Sequence, residues 1–472
     1  MRLAETLAHI AGQLRQGKFA GSLAMPRGVL SQLFLITLLS VAIAGCNRQS
    51  DVPTQSRKAQ LENRQGELPV RSLAPAVAPP NPDPVAIPQG AAANAQKVPG
   101  NKLPLYELKM DPKDVAALER NPDSGETHPA TFIADGEVYP NVQVRFRGEW
   151  ARSWPKKPLK IFFSRAKPFQ GHHSLNLNSA WRDAAFVRET LAYHVYAACG
   201  VPASRSRMVR LYLNGQFRGL YAEVEQVDKP LLKRFNLKGA SLFKAMSDED
   251  QADERDHGSE AAFARHYSNE SQKTNGLHEL QLFCHELALA PNTLDFFTRQ
   301  VDLEKYINYL AATVLIQHWD CFNKNHFLIH DRSGSGKWLA LPWDLDRTFG
   351  DHWNQSFDSA NLSILLGTRR APGPTGWNRL QDRFFSEPTL RARFLDRLAE
   401  LLEKEFTTQK LFPVLDRLET AMGPDAALDR RRWPGPAGDL HNGIAGVKSY
   451  IERRRVFLQR ELTQLRQAKS VP

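Results

Sequence analysis

The sequence predicts an α+β protein of two lobes, the first rich in strands and the second helical. Three observations predict it. From Leu103 to Asp228, apolar residues largely alternate with polar ones and are broken by Asp-Gly and Asn-Gly turns. Beyond Asp228 they recur mostly at helical spacing. One short pair of strand-like runs, "HFLIHD" and "GKWLALPWDLD", joined by "RSGSG", interrupts those helices. With 472 residues, 42% of them hydrophobic, the chain can build a sizeable core in more than one unit.

Taken in order, "LPLYELKM" alternates as a first strand. In "DPKDVAALERN", Asp111 is a natural N-cap and Pro112 a first helical residue, with an apolar face through Val115 and Leu118. "ATFIADGEVYPNVQVRFRGE" reads as two strands around Asp135-Gly136, and "PLKIFF" as another. Helical periodicity in "DAAFVRETLAYHVYAACG" puts Phe186, Leu191 and Val195 on a buried face, with Gly200 as its stop. "SRMVRLYLNGQFRGLYAEVEQ" is a hairpin about Asn214-Gly215. These elements make a first lobe over residues 103–228. In the second lobe, 229–472, "DKPLLKRF" begins a helical stretch and the acidic segment "SDEDQADERDHGSE" interrupts it as an expected surface loop. Amphipathic helices follow over residues 277–319, and helices resume from Leu380 to "VKSYIERRRVFLQRELTQLRQ". A strand-rich lobe before a helical one, with a small hairpin at the junction, is the element order of an atypical protein-kinase-like fold.

The N-terminal region is read differently. "MPRGVLSQLFLITLLSVAIAGC" has one Arg, an apolar run from Val29 to Ala44 and small residues before Cys46, which is the anatomy of a signal peptide with a lipobox. The run is shorter than the roughly 20 residues that span a bilayer. Cys46 is therefore the expected lipidation site, Met25 the expected translational start, and residues 1–46 the leader. Asn47, where Asp would retain a lipoprotein at the inner membrane, directs the expectation to the outer membrane, facing the periplasm or the cell surface. Residues 47–102, with "LAPAVAPPNPDPVAIPQGAAANAQ" at their centre, bury too little apolar surface to offset chain ordering and read as a disordered tether.

The formal net charge of +11 comes from Lys and Arg scattered among 51 acids, with no long basic run and no zinc-finger spacing. That distribution favours an anionic envelope surface or a phosphate-bearing ligand over nucleic acid. With Cys46 acylated, Cys199, Cys284 and Cys321 remain, an odd number that argues against a disulfide framework. Cys321 is read as a buried spectator thiol rather than a nucleophile.

The chemistry concentrates in "QHWDCFNKNHFLIHD". His318, Asp320 and Asn325 repeat the spacing of a kinase catalytic loop, in which the Asp faces the acceptor hydroxyl and the Asn holds a metal ion. In "PWDLDRTFG", strand alternation puts Asp344 and Asp346 on one side, where two carboxylates repel unless a cation joins them; Mg²⁺ suits such a pair plus an Asn amide. Positive charge for phosphates is available in "RFRGEWARSWPKKPLKIFF", through Arg145, Arg147, Arg152, Lys156, Lys157 and Lys160. Lys157 shares the face of Leu159, Ile161 and Phe163, while Lys160 takes the other. Either lysine could face the cleft; Lys157 is the favoured one, on the reasoning that the apolar side faces inward. No Gly-x-Gly-x-x-Gly follows the first strand, so a glycine-rich phosphate cover is missing.

The Arg-Gly segment leading to "PKKPLKIFF", the run from "VRETLAYHVYAACG" to "DKPLLKRF", and "GKWLALPWDLDRTFG" together resemble the CotH kinase family, named for the spore-coat H protein. The resemblance covers residues 103–350. It implies ATP and Mg²⁺ as cofactors, Asp320 as catalytic base, Asn325 with Asp344 as metal ligands and Asp346 as a second candidate. It places Glu225 near the nucleotide and Glu189 where an acid would pair the phosphate lysine. The expected function is an envelope-anchored kinase moving a phosphoryl group from ATP to a protein or glycan hydroxyl. The alternatives are an inactive kinase-fold scaffold or another nucleotide-dependent transferase. Its expected partners are an envelope substrate and, through Cys46, the membrane.

Overall fold

The structure is a computed structural model and describes residues 103–246, 251–271, 276–352, 359–373, 376–435 and 438–467. The expected leader, Cys46 and the tether lie outside the described residues. Among the described residues no helix is long and apolar enough to cross a membrane.

The first lobe is a closed barrel of β1 (Leu105–Lys109), β2 (His128–Ala134), β3 (Glu137–Phe146), β4 (Leu159–Phe162), β5 (Ser174–Asn178), β6 (Ser206–Leu213) and β7 (Gln216–Glu225), in the order β1-β2-β3-β4-β5-β7-β6. Parallel pairing of β1 with β6, Leu105 opposite Arg210, closes it, so no edge is left to template aggregation. Alternation decides what fills it. Tyr106, Phe132, Val144, Ile161, Leu177 and Leu211 point inward and are fully buried, whereas Arg145, Lys160 and Asn176 sit on the outer face. The hairpin turns form as predicted: Asp135-Gly136 and Asn214-Gly215 all take positive φ. Helix α1 (Pro112–Arg120) is capped by the Asp111 carboxylate, which accepts from Lys113 N.

Helix α2 (Arg188–Ala198) starts later than the periodicity predicts. The Asp183 carboxylate accepts from the N–H groups of Ala185 and Arg188, and Phe186, expected on the helix face, takes φ +60 in the turn before it. A side chain that competes for backbone N–H groups explains the delay. Phe186 is buried all the same.

The second lobe holds α3 (Lys229–Arg234), α4 (Glu260–Phe263), α5 (His278–Leu289), α6 (Thr293–Gln300), α7 (Leu303–Ile316), α8 (Arg379–Ser386), α9 (Pro388–Lys404), α10 (Thr408–Arg432) and α11 (Leu440–Gln467). The expected hairpin, β10 (His326–His330) with β11 (Trp338–Pro342), is half of a four-stranded sheet. Its order, β11-β10-β8-β9, adds β8 (Ser241–Ala245) and β9 (Tyr267–Asn269). The acidic segment before β9 is not wholly a surface loop. Ala252, Asp253 and Glu254 are buried, which the charge pattern alone does not suggest.

Two buried charges fix the positions of these elements. α7, apolar on nearly all sides, ends at Gln317 with φ +53, and its last carbonyls need donors. Arg454 of α11, fully buried, supplies them: Nε and Nη2 donate to Val314 O at 3.1 and 2.8 Å, while Tyr450 donates to Leu315 O at 3.2 Å. The chain leaving α7 is thereby aimed at the lobe junction. Elsewhere Lys156, fully buried, meets Asp429 of α10 at 2.5 Å and also donates to Leu220 O; the same Asp429 oxygen accepts from Leu220 N at 2.7 Å. Gly219, at φ +142, leaves room for this pair, since a Cβ there would run into the Asp429 carboxylate. The barrel is thus tied to the C-terminal helices.

Candidate functional site

Just past α7 the chain makes a single 3-10 turn, Trp319–Cys321, and Asp320 sits in it with φ −94 and ψ 19. Asn325 takes φ +57, and its Nδ2 donates to Asp320 O at 3.1 Å and Asp320 Oδ2 at 3.0 Å. Lys324 Nζ lies 3.2 Å from the other Asp320 oxygen. The spacing seen in the sequence thus closes into a small ring, with the Asp carboxylate held from both sides. The amide nitrogen of Asn325 is committed to Asp320, so its oxygen is the atom available to a cation.

The opposing segment is brought alongside by the β10–β11 register, which continues through Trp343 N donating to Asn325 O at 3.1 Å. Asp344 follows with φ +57 and is exposed; Asp346 is half-buried. Arg347 pairs with Asp351 at 2.7 Å and lies within the field of both Asp346 and Asp320. Burial, then the charge of Asp344, raises Asp346 well above the usual carboxylate range, with Glu189 adding to the effect. Burial and Asp344 likewise push Glu189 up to about 7. Asp346 and Glu189, each raised in part by the Asp344 charge, mark a site short of positive charge. Its oxygen-only donors, Asp344, Asp346 and the Asn325 amide, suit Mg²⁺ with phosphate and water as co-ligands. Among the described residues no three His, Cys, Asp or Glu side chains are grouped to hold a metal ion.

Glu189 lies in the first turn of α2, and among the described residues no lysine is paired with it. Asn178 Nδ2 donates to its two oxygens at 2.8 and 2.7 Å, and Asn178 Oδ1 accepts from Arg147, whose guanidinium also lies 5.8 Å from the Trp343 ring centroid. The backbone of Leu345, between the two aspartates, bonds to Glu189 as well. Arg147 therefore links the barrel to the Asp344 segment by way of Asn178, a residue that sequence reading left out because "SLNLN" is too short a strand signal.

The lysine assignment is corrected. Lys157 Nζ lies 3.9 Å from Glu119 of α1 and 5.6 Å from the Phe146 ring centroid. Lys160, on the outer barrel face, donates to Gln226 Oε1 at 2.8 Å at the crossing between lobes. The apolar face of β4 does turn inward, but inward is the filled barrel, while the junction lies against the outer face. Burial, then Arg147, Arg145 and Lys244, lowers Lys160 to about 7. A cationic group so placed is ready for phosphate. Glu225 is likewise committed elsewhere: it pairs with Arg234, lies 3.1 Å from His172 Nε2 and accepts from Arg205 N at 2.8 Å. Burial would raise its pKa, but these bonds hold it below the ordinary range, so it braces the crossing.

Two neighbours act without titrating. Burial pushes His318 down to about 3, so it stays neutral beside the Asp344 backbone. Burial raises the Cys321 thiol, which donates to His318 O at 2.9 Å and is the spectator expected.

One prediction arises here. Lys160→Met is expected to weaken nucleotide binding about tenfold, the worth of one charged hydrogen bond, while Lys157→Met leaves it within twofold. Lys160 is charged below pH 7 and neutral above it, so affinity relative to Lys160→Arg should fall as pH rises from 6 to 8. Isothermal titration at each pH checks this, and equal affinities for the Met and wild-type proteins would refute the assignment.

Comparison with known proteins adds the following. The profile described as "CotH kinase protein" matches residues 144–458, more than half of the chain. The chain is similar to the inner spore coat protein H of Bacillus subtilis (strain 168), with 24% identity over 378 residues, 77% of this chain and 99% of that protein. It is similar to invasin CotH2 of Rhizopus delemar, with 23% identity over 352 residues, 70% of this chain and 58% of that protein. Among solved structures, the Helicobacter pylori proinflammatory kinase CtkA shares 9% identity at a TM-score of 0.33, over 65% of this chain and 94% of that one.

Proposed function

The chain belongs to the CotH kinase family, and from that premise we propose that it moves a phosphoryl group from ATP to a protein or glycan hydroxyl at the bacterial envelope. The observation that carries the reading is that Trp343 N, bonded to Asn325 O, sets the Asp344 segment beside the Asp320–Asn325 ring, while Asp344 and Glu189 both raise Asp346. Carboxylates left short of positive charge beside a held Asp are what a magnesium–nucleotide complex would complete.

In this reading Arg147 and Lys160 bind the donor phosphates, Lys160 lying at the crossing beside Gln226. Asp320 orients the acceptor hydroxyl and takes its proton as the oxygen bonds to the γ-phosphorus and ADP leaves. Asn325 and Lys324 keep the Asp320 carboxylate in place. Asn325, Asp344 and Asp346 would hold Mg²⁺, which when bound neutralises charge on the phosphate oxygens.

A melting experiment tests nucleotide use directly. Mg²⁺ with ATP at 100 times its Kd should stabilise the protein by about 2.7 kcal/mol, and neither alone should match it. No shift at millimolar Mg–ATP would reduce the protein to a scaffold.

The envelope address rests on the lipobox. Cys46→Ala is expected to abolish incorporation of labelled palmitate and to move the protein from the membrane to the soluble fraction. Retention of the label in that variant would rule out Cys46 as the acylated residue.

A further inference from the structure

The turn that carries Asp320 is held almost entirely from outside itself. From Asp320 to Asn325, each backbone carbonyl accepts a hydrogen bond, and the donors come from several separate parts of the chain. Asp320 O takes Asn325 Nδ2 at 3.1 Å. Cys321 O and Lys324 O share His326 Nδ1, at 3.1 and 2.9 Å. Phe322 O takes Asn378 Nδ2 at 2.8 Å, Asn323 O takes Ala252 N at 2.9 Å, and Asn325 O takes Trp343 N. Behind these donors lies Glu254, 2% exposed, which bonds His326 Nε2 at 2.8 Å and also accepts from Asn378. Arg379 N donates to Asp253 O at 2.7 Å, joining the strand of chain around Asn378 to the one around Glu254.

The Phe322 side chain is gripped too. Gly367, at φ +88, and Gly373 lie so close to its ring that a Cβ on either would press into it. Asn378 N donates to Gly367 O at 2.9 Å, so the same stretch that encloses the ring supplies the donor to its carbonyl. Among the described residues, no hydrogen bond of Asn378 or Glu254 goes to Asp344, Asp346 or Glu189; those to the Asp320 turn go to the Phe322 carbonyl and, through His326, to the Cys321 and Lys324 carbonyls.

We propose that Asn378 and Glu254 are positioning residues which, acting together through Phe322 and His326, set the direction of the Asp320 carboxylate for transfer. This rests on the kinase reading above. The physical reason is that a 3-10 turn has few bonds of its own, so its exact path follows the external donors. A turn displaced by an ångström can cost about a hundredfold in rate while leaving bound nucleotide undisturbed. Asn378 is offered as the point of control because it reaches both Phe322 O and Glu254.

The test uses the full chain with Asn378→Ala and with Asn378→Ser, which keeps an oxygen to cap Gln381 N but is too short to reach Phe322 O and brings no charge beside Glu254. Two measurements are made on each. In amide exchange by mass spectrometry, peptides covering 319–325 should exchange at least about tenfold faster than wild type, with peptides from α7 unchanged. In steady-state transfer, kcat should fall about ten- to a hundredfold with the KM for ATP within twofold. Asn378→Ser guards against a misfolded Ala variant, since it retains the cap of α8 and should still show both effects. Unchanged exchange in 319–325 for the Ser variant would overturn the proposal, as would a KM that rises in step with any fall in kcat. If the wild-type protein transfers no phosphoryl group, the kinase reading falls, and the exchange measurement alone decides whether Asn378 positions the turn.

Discussion

Asp320→Ala is expected to lower phosphoryl transfer from ATP by at least about 10²- to 10⁴-fold, the usual contribution of a positioned general base. Nucleotide binding should stay within twofold. The separation follows from geometry: Asp320 is held by Asn325 and Lys324 at the acceptor side, whereas the phosphate contacts assigned to Lys160 and Arg147 come from the barrel. Loss of label from γ-labelled ATP, with the Mg–ATP melting shift retained, is the expected pair of results. Asp320→Asn keeps the shape and the bond from Asn325 but cannot accept the proton, and should be nearly as slow. Transfer at wild-type rate in either variant would remove Asp320 from the mechanism.

The largest effect on stability is expected at the tie between barrel and helices. Asp429→Ala leaves the Lys156 ammonium buried among Leu220 O and the rings of Tyr221 and Phe186, with no counter-charge and with Leu220 N unpaired. Removing one partner of a buried pair costs about 3–5 kcal/mol. Lys156→Met should cost as much for the mirror reason. The double variant Lys156→Met with Asp429→Asn removes both charges and still gives Leu220 N an acceptor, so it should recover most of the loss. Urea unfolding midpoints check the series. Single variants that cost under 1 kcal/mol would show that the pair is not the tie described, and so would a double variant as unstable as their sum.

These two residues also show where sequence reading stops. Asp320 was legible because its chemistry is local: it stands in one turn, with Asn325 five residues on, and the spacing encodes the contact. The barrel was legible strand by strand, since alternation and the Asn-Gly and Asp-Gly turns are short-range signals. Closure of the barrel was not, because pairing of β1 with β6 joins residues a hundred positions apart. Lys156 and Asp429 were invisible as a pair for the same reason, and Asp429 has no local feature that marks it among the acids of α10.

The lysine assignment failed on a subtler point. Alternation correctly told which face of β4 is apolar, but it cannot tell whether an apolar face lines a barrel or a cleft. The partners of Glu225 were equally illegible: its oxygens meet Arg234, His172 and Arg205, drawn from three other segments.

Strand alternation does not reach Asp344 and Asp346, since β11 ends at Pro342 and Asp344 takes φ +57. The sequence by itself determined the α+β order of the two lobes, the turn bearing Asp320 and Asn325, and the family. Each is written in residues near one another along the chain. Tertiary structure alone decided that Lys160 rather than Lys157 faces the junction, that Asn178 joins Arg147 to Glu189, and that Asn378 and Glu254 hold the Asp320 turn. The reason is physical. A period of two or 3.6 residues fixes which side chains share a face, whereas the partner that face meets depends on long-range packing of elements whose order in space the local pattern does not carry.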